Sequence, residues 1–261
     1  MIDQQLEGRT VGALDKMTAL VTGGSRGIGR AIAERLARDG ATVAITYATD
    51  HPAADDVVAR IHAEGGRAVA VQAEFGTHDD AARMWAAFDA AVPDRRVDIL
   101  VNNAGVSCYA DISELTEDDF DRVFAVNVRS PFFIVQHGLS RIPDGGRIIN
   151  VSSGAARLAL PGAIAYGSTK AALDTFTLNL AKQLGPRGIT VNSLAPGITD
   201  TDMNASWLRG DSEAKSGAAA LAALGRVGAP ADIADIAAFL ASSDARWITG
   251  RVVDATGGAG L

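Results

Sequence analysis

Short runs of β-branched and apolar residues recur along the chain, separated by stretches with helical periodicity. The first run is Thr18–Val21, and after a glycine-rich segment Ile28, Ile32 and Leu36 recur every four residues. That spacing puts one apolar stripe on a helix, predicting a helix over Ile28–Arg38. The alternation continues with strands at Thr42–Thr46, Ala68–Val71 and Ile99–Val101 and helices at Asp55–Ala63, Asp79–Val92, Glu117–Val126 and Phe132–Leu139. In the second half, strands fall at Arg147–Val151, Thr190–Ser193 and Arg251–Asp254, with helices over Ala165–Leu184 and near Ala231–Leu240. Near-continuous apolar strands alternating with helices predict a parallel sheet of about seven strands covered on both faces, an α/β doubly wound fold. Ligands bind such sheets beyond the carboxyl ends of the strands, so the residues following each strand are the place to look for chemistry.

The chain has 261 residues. Although longer than the usual domain of about 100–150 residues, it is within the roughly 250 that an α/β fold spans as one unit. With 48% apolar and 21% charged residues and no linker-like tract, one domain over 1–261 is expected. The net charge of −7 argues against a nucleic-acid partner, since phosphate neutralisation needs a basic patch. No apolar run reaches the roughly 18–20 residues of a membrane span, and the opening MIDQQLEGRT lacks the basic start and apolar stretch of a signal peptide, so a cytoplasmic protein is expected. Cys108 is the only cysteine. An intrachain disulfide is therefore impossible, and no metal site is expected.

Thr22-Gly23-Gly24-Ser25-Arg26-Gly27-Ile28-Gly29 lies between the first strand and the first helix. There, free backbone N–H groups and the helix dipole favour an anion, and glycines admit a pyrophosphate close to the backbone. A plain glycine-rich turn is the blander reading of that segment alone. The spacing is Gly-x3-Gly-x-Gly, and further motifs follow in order: Asn102-Asn103-Ala104-Gly105, Asn127, Ser153, Tyr166-Gly167-Ser168-Thr169-Lys170, and Pro196-Gly197 with Thr201. On these residues, spread over nearly its whole length, the chain resembles the short-chain dehydrogenase/reductase family, and in particular its 3-oxoacyl-acyl-carrier-protein reductase members. The resemblance implies a Rossmann-type fold and hydride transfer between a nicotinamide and a carbonyl/alcohol pair.

Tyr166 and Lys170 are four apart on a predicted helix and share one face. A neighbouring ammonium can lower a phenol from about 10 by roughly 1–3 units, so Lys170 is expected to activate Tyr166 as the acid/base. Without the other motifs, the pair would read as a packed Tyr and a solvated Lys. The family's Ser lies thirteen residues before its Tyr; Ser153 fills that place, polarising the substrate oxygen, while Ser152 serves local backbone bonding. In the family the residue matching Asn127 holds a water that links the Lys to solvent.

For the cofactor, an acid at the end of the second strand would select NAD, whereas a nearby basic residue accommodates a 2′-phosphate. The family's acid would fall near Tyr47, next to Ala48, and Arg26 is placed to meet a phosphate, so NADP(H) is expected with NAD(H) as the alternative. Asp50 and His51 could weaken phosphate binding if they faced the pocket. Glu74-Phe75 stands where the family often has Asp-Val at the adenine. The resemblance places Asn102, Ala104 and Gly105 along the adenine and ribose, and Ile198 and Thr201, after the Pro196-Gly197 turn, at the carboxamide.

Ser107, Cys108, Tyr109, Arg157 and residues 203–226 are candidates for substrate choice; the last forms most of a substrate segment over about 200–228 and reads as a lid or an ordinary loop. For Arg157 a surface ion pair competes with an anionic substrate group. Helices Pro131–Leu139 and Ala171–Leu184 carry few charges, and the family assembles through the corresponding helices, so a homotetramer is expected. The function expected is reduction of a ketone or 3-oxoacyl substrate. A sugar or secondary-alcohol dehydrogenase is the alternative within enzymes, and an NADP(H)-sensing regulatory protein without catalysis is the alternative outside them.

Overall fold

The computed structural model describes residues 12–261; the opening MIDQQLEGRT lies outside the described residues. Seven strands form one parallel sheet: β1 (Thr18–Val21), β2 (Thr42–Tyr47), β3 (Arg67–Gln72), β4 (Ile99–Asn102), β5 (Arg147–Val151), β6 (Thr190–Pro196) and β7 (Val252–Ala255). Their order is β3-β2-β1-β4-β5-β6-β7, so the winding reverses between β1 and β4. A crevice opens at such a switch point. The central strands are buried almost throughout because both of their faces are covered.

Helices α1 (Gly27–Arg38), α2 (His51–Ala63) and, late in the chain, α9 (Pro230–Ala241) bury Ile32, Leu36, Val57, Ile61, Ile233 and Ala237 against one face. On the other face lie α3 (Asp80–Ala91), α4 (Glu117–Phe124), α5 (Ser130–Gly138) and α6 (Ile164–Leu184). There Met84, Trp85, Phe88, Ile134 and Leu184 join Leu20, Leu100 and Ile148 in a second cluster. Each such side chain contributes about 1.5–3 kcal/mol when fully buried. Trp85 also donates its indole N–H to the Ile134 carbonyl at 2.9 Å, and Gly138 makes room for its ring.

Three local features depart from the sequence reading. Helix α2 starts at His51, four residues earlier than expected, because Asp50 caps it by accepting from the Ala53 N–H, with Pro52 in the first turn. Two short helices, α7 (Ala205–Leu208) and α8 (Ser212–Ala220), occupy the segment between β6 and α9. Helices α4 and α5, expected as separate, are joined through a widened π turn over Ala125–Arg129. Pro131 follows that turn; it has no N–H, and its ring crowds the carbonyl four residues earlier, that of Asn127. The helix widens where that bond cannot form.

Candidate active site

The loops after β1, β4, β5 and β6 converge at the carboxyl edge of the sheet. After β1, Gly23 and Gly27 adopt φ of +63° and +55°, a left-handed backbone in which side chains are strained. A Cβ on Gly29 would lie 2.2 Å from the Gly23 carbonyl oxygen and 2.4 Å from Asn103 Nδ2. The turn therefore packs against the loop after β4. Asn103 Nδ2 donates to the carbonyls of Thr22 and Gly23 at 2.9 and 3.0 Å, and Thr22 Oγ1 accepts from the N–H groups of Asn103 and Ala104. The sequence reading places Asn103 only within the stretch along the adenine and ribose and Thr22 only within the glycine-rich motif; reciprocal bonding of this kind shows only in three dimensions.

A dinucleotide fits this cradle: backbone approach is open where glycines stand, and α1 presents its N-terminus. Ser25 is buried in the turn, Ile28 packs on the core, and Thr201, also buried, sits where a Cβ on Gly27 would meet it at 3.4 Å. Arg26, the N-cap of α1, is exposed, and its guanidinium has no hydrogen bond or ion pair among the described residues. At the end of β2, Tyr47 is buried and stacks on His51 at 5.3 Å, while Ala48 is exposed. Asp50 is committed to capping α2 and His51 pairs with Asp55 at 3.4 Å. After β3, Glu74 is exposed and Phe75 packs on the core. Asn102 is buried and donates its amide N–H to Asn150 Oδ1 at 2.8 Å. Gly105 is the next wall: a Cβ there would lie 3.2 Å from Asn127 Oδ1 and 3.6 Å from Lys170 Nζ. Pro196 is buried at the end of β6, the Gly197 backbone passes too close to Thr256 for a Cβ, and Ile198 accepts from the Gly228 N–H at 2.9 Å.

Helix α6 carries Tyr166 and Lys170 on one face. The Lys170 ammonium is buried, lies 5.6 Å from the Tyr166 ring centre and donates to the Val151 carbonyl at 2.8 Å. Ser153 hydrogen-bonds the Tyr166 phenol and accepts from the Ala155 N–H at 3.1 Å. Ser152 is buried and bonds the Lys170 carbonyl at 3.3 Å, a backbone role. Asn127, held at the π turn, accepts from the Val106 N–H at 2.9 Å and donates to the Val106 carbonyl and to Thr169 Oγ1 at 2.9 and 3.1 Å. It thus ties the loop after β4 to α6, and Thr169 passes the tie on to the Tyr166 carbonyl. Asn127, Ser153, Tyr166 and Lys170 are brought together.

The electrostatics correct one expectation. Burial pushes the Tyr166 phenol up to about 12, against the downward pull of Ser153 and with a small upward push from Tyr109. Lys170 does not lower it, because the ammonium is directed at the Val151 carbonyl. Burial in turn brings Lys170 down to about 8, partly opposed by the charge of Asp174. Asp174, one turn beyond Lys170, lies beside the hydroxyls of Ser152 and Ser193. The four-residue spacing from Lys170 was the signal that could have found it.

Around the substrate side, Cys108 is half-buried in a recess of about 210 Å³ with Ser107, Tyr109, Asp119 and Arg122. Arg157 is ion-paired with Asp254 and reaches Thr256 and the Ala259 carbonyl, so it holds the C-terminal turn. The segment from Met203 to Arg226 is pinned at both ends, by Arg209 on Asp200 and Asp202 and by Arg226 on Asp232. Among the described residues, no cluster of three or more metal-ligating side chains occurs and no helix is long and apolar enough to cross a membrane.

Residues 23–260 match a family model described as enoyl-(acyl carrier protein) reductase. A versicolorin reductase of Emericella nidulans is 40% identical over 257 residues, covering 94% of this chain and 96% of that protein. A hydroxynaphthalene reductase-like protein of Metarhizium brunneum is 40% identical over 251 residues, covering 92% of this chain and 93% of its own. Among solved structures, the angucycline C-6 ketoreductase LanV with bound NADP is 50% identical, with a TM-score of 0.90 over 95% of this chain and 96% of that one. With the sheet order, the glycine turn and the Ser-Tyr-Lys-Asn group, these matches establish that the chain belongs to the short-chain dehydrogenase/reductase family of NAD(P)-dependent oxidoreductases acting on C=O and CH–OH groups.

Proposed function

We propose that the chain is an NADPH-dependent reductase of a fused-ring aromatic ketone, with Tyr166 as the proton donor. The observation that carries this reading is the assembly of Ser153, Tyr166, Lys170 and Asn127 beside a glycine cradle at the switch point. When bound, NADPH supplies the hydride. Ser153 donates a hydrogen bond to the substrate oxygen and stabilises the charge that develops on it. Tyr166, with its phenol near 12, is fully protonated at neutral pH and gives its proton to the forming alkoxide. Lys170, near 8, is mostly charged at neutral pH and holds the Val151 carbonyl at the start of the loop that carries Ser153. Asn127 fixes the loop after β4 against α6. The reverse oxidation needs an ionised Tyr166 and is favoured at high pH.

The free guanidinium of Arg26 supports NADP(H) over NAD(H). For the substrate, the hydroxynaphthalene in one relative's name is a fused bicyclic aromatic, which favours a ring ketone over a 3-oxoacyl thioester. The test is nucleotide oxidation with α-tetralone, acetoacetyl-coenzyme A and simple sugars, using NADPH and then NADH. Turnover of α-tetralone with a preference for NADPH is expected. Turnover confined to the thioester or sugars would overturn the substrate class, and NADPH binding with no turnover would favour the sensing role.

A homotetramer built on α5 and α6 is part of the same reading. Phe132, Phe133 and Leu178 remain 45%, 39% and 59% exposed on these helices, beside a recess of about 700 Å³ lined by Phe124 and Val128. Light scattering is expected to give four times the chain mass; a monomer would refute it.

A further inference from the structure

The loop after β4 carries an aromatic side chain that the catalytic chemistry leaves unused. Tyr109 is 59% exposed, yet its ring centre lies 6.3 Å from that of Tyr166, tilted by 36°. Its position is fixed from both sides. On one side, the Val106 backbone is clamped by Asn127 through two hydrogen bonds. On the other, the Ala110 N–H donates to the Gly162 carbonyl at 3.0 Å, tying this loop to the segment that leads into α6. That segment exposes Leu160 and Ile164, 46% and 43% accessible, just before Tyr166. A tethered aromatic face and the proton donor thus lie side by side, next to a segment that exposes two aliphatic side chains.

A large aromatic surface left in water beside a buried catalytic group marks where an apolar ligand is covered. Arg157, the charged candidate for this region, is closed against Asp254 and offers no cation to an anionic substrate. We infer that Tyr109 is a specificity-determining residue, whose ring forms the platform on which the fused aromatic part of the substrate lies while its carbonyl meets Ser153 and Tyr166. This rests on the proposed ketone reduction only for the identity of the reacting group; the platform itself requires no turnover.

Two measurements test it. The first is the ratio of kcat/KM for α-tetralone over cyclohexanone in wild type, Tyr109→Leu and Tyr109→Phe. Aromatic stacking predicts a fall in that ratio of about 3- to 10-fold for Leu, with Phe close to wild type. The second is calorimetric binding of β-naphthol, an unreactive fused aromatic, to the NADP⁺-saturated protein. Its affinity is expected to fall by a similar factor in Tyr109→Leu and to persist in Tyr109→Phe. Unchanged naphthol affinity in the Leu variant overturns the platform, as does an equal loss in Phe, which would assign the effect to the hydroxyl. Absence of turnover with intact, Tyr109-dependent naphthol binding would refute the reductase reading and leave the platform standing.

Discussion

Burial of Lys170 has a measurable consequence for folding. In the unfolded chain its ammonium has the ordinary pKa of 10.5, and in the folded protein about 8. A depressed pKa on a basic group means that the unfolded state holds the proton more tightly, so protonation penalises the fold. At pH 7 both states are protonated and the penalty is complete, about 3 kcal/mol. As pH rises through 8 the folded protein loses its proton first, and stability increases until the unfolded chain follows near 10.5. Between pH 7 and 9.5 this group alone adds about 2 kcal/mol. Tyr166 acts in the opposite sense: its phenol at about 12 favours the neutral form in the fold, so stability falls once the unfolded chain ionises above roughly 10. The useful window therefore lies between about 7 and 10. Urea unfolding without added nucleotide at pH 7 and 9.5, for wild type and Lys170→Met, isolates the effect from other titrating groups. Wild type should gain about 2 kcal/mol relative to the variant; parallel changes in the two proteins would refute a buried, destabilising ammonium.

Asp174→Asn removes the charge that raises Lys170, so the same urea series should show its rise beginning at lower pH than in wild type; an unmoved onset would place Asp174 outside the site. Arg26→Ala should weaken NADPH roughly 10- to 100-fold and leave NADH nearly unchanged, as loss of a charge-assisted phosphate contact requires, read by nucleotide fluorescence titration. Gly29→Ala would drive a methyl group into the Gly23 carbonyl and Asn103 Nδ2, so nucleotide affinity should collapse and the melting temperature should fall; normal binding would refute the packing of the glycine turn against the loop after β4.

The sheet was legible because parallel strands buried on both faces are written as runs such as TALV and RIINV, and the observed strands β1 and β5 have the expected bounds. Helices with a strong apolar stripe, α1 and α9, were found to within a residue. What escaped were elements set by single residues or by tertiary contact. The start of α2 depends on the Asp50 cap and Pro52, a signal that was present. The four-residue α7 is too short to show a period and the Ala-rich α8 has no marked apolar periodicity, and the π turn depends on Pro131 denying Asn127 a hydrogen bond. At the site, Ser153, Tyr166, Lys170 and Asn127 were named from motif and resemblance and lie together. Their electrostatics were not legible, since proximity of Tyr166 and Lys170 suggested a lowered phenol. Depth of burial and the direction of the Lys170 ammonium, toward Val151, decide otherwise. Neither quantity is written in a four-residue spacing.

The most direct test of the central claim is transfer of deuterium from NADPH deuterated at its reactive carbon to α-tetralone, followed by mass spectrometry of the alcohol, in wild type and Tyr166→Phe. Wild type should place one deuterium on the carbinol carbon, and Tyr166→Phe should do so about 10²- to 10⁴-fold more slowly while still binding NADPH. Equal rates in the two proteins would remove Tyr166 as the proton donor and contradict the account.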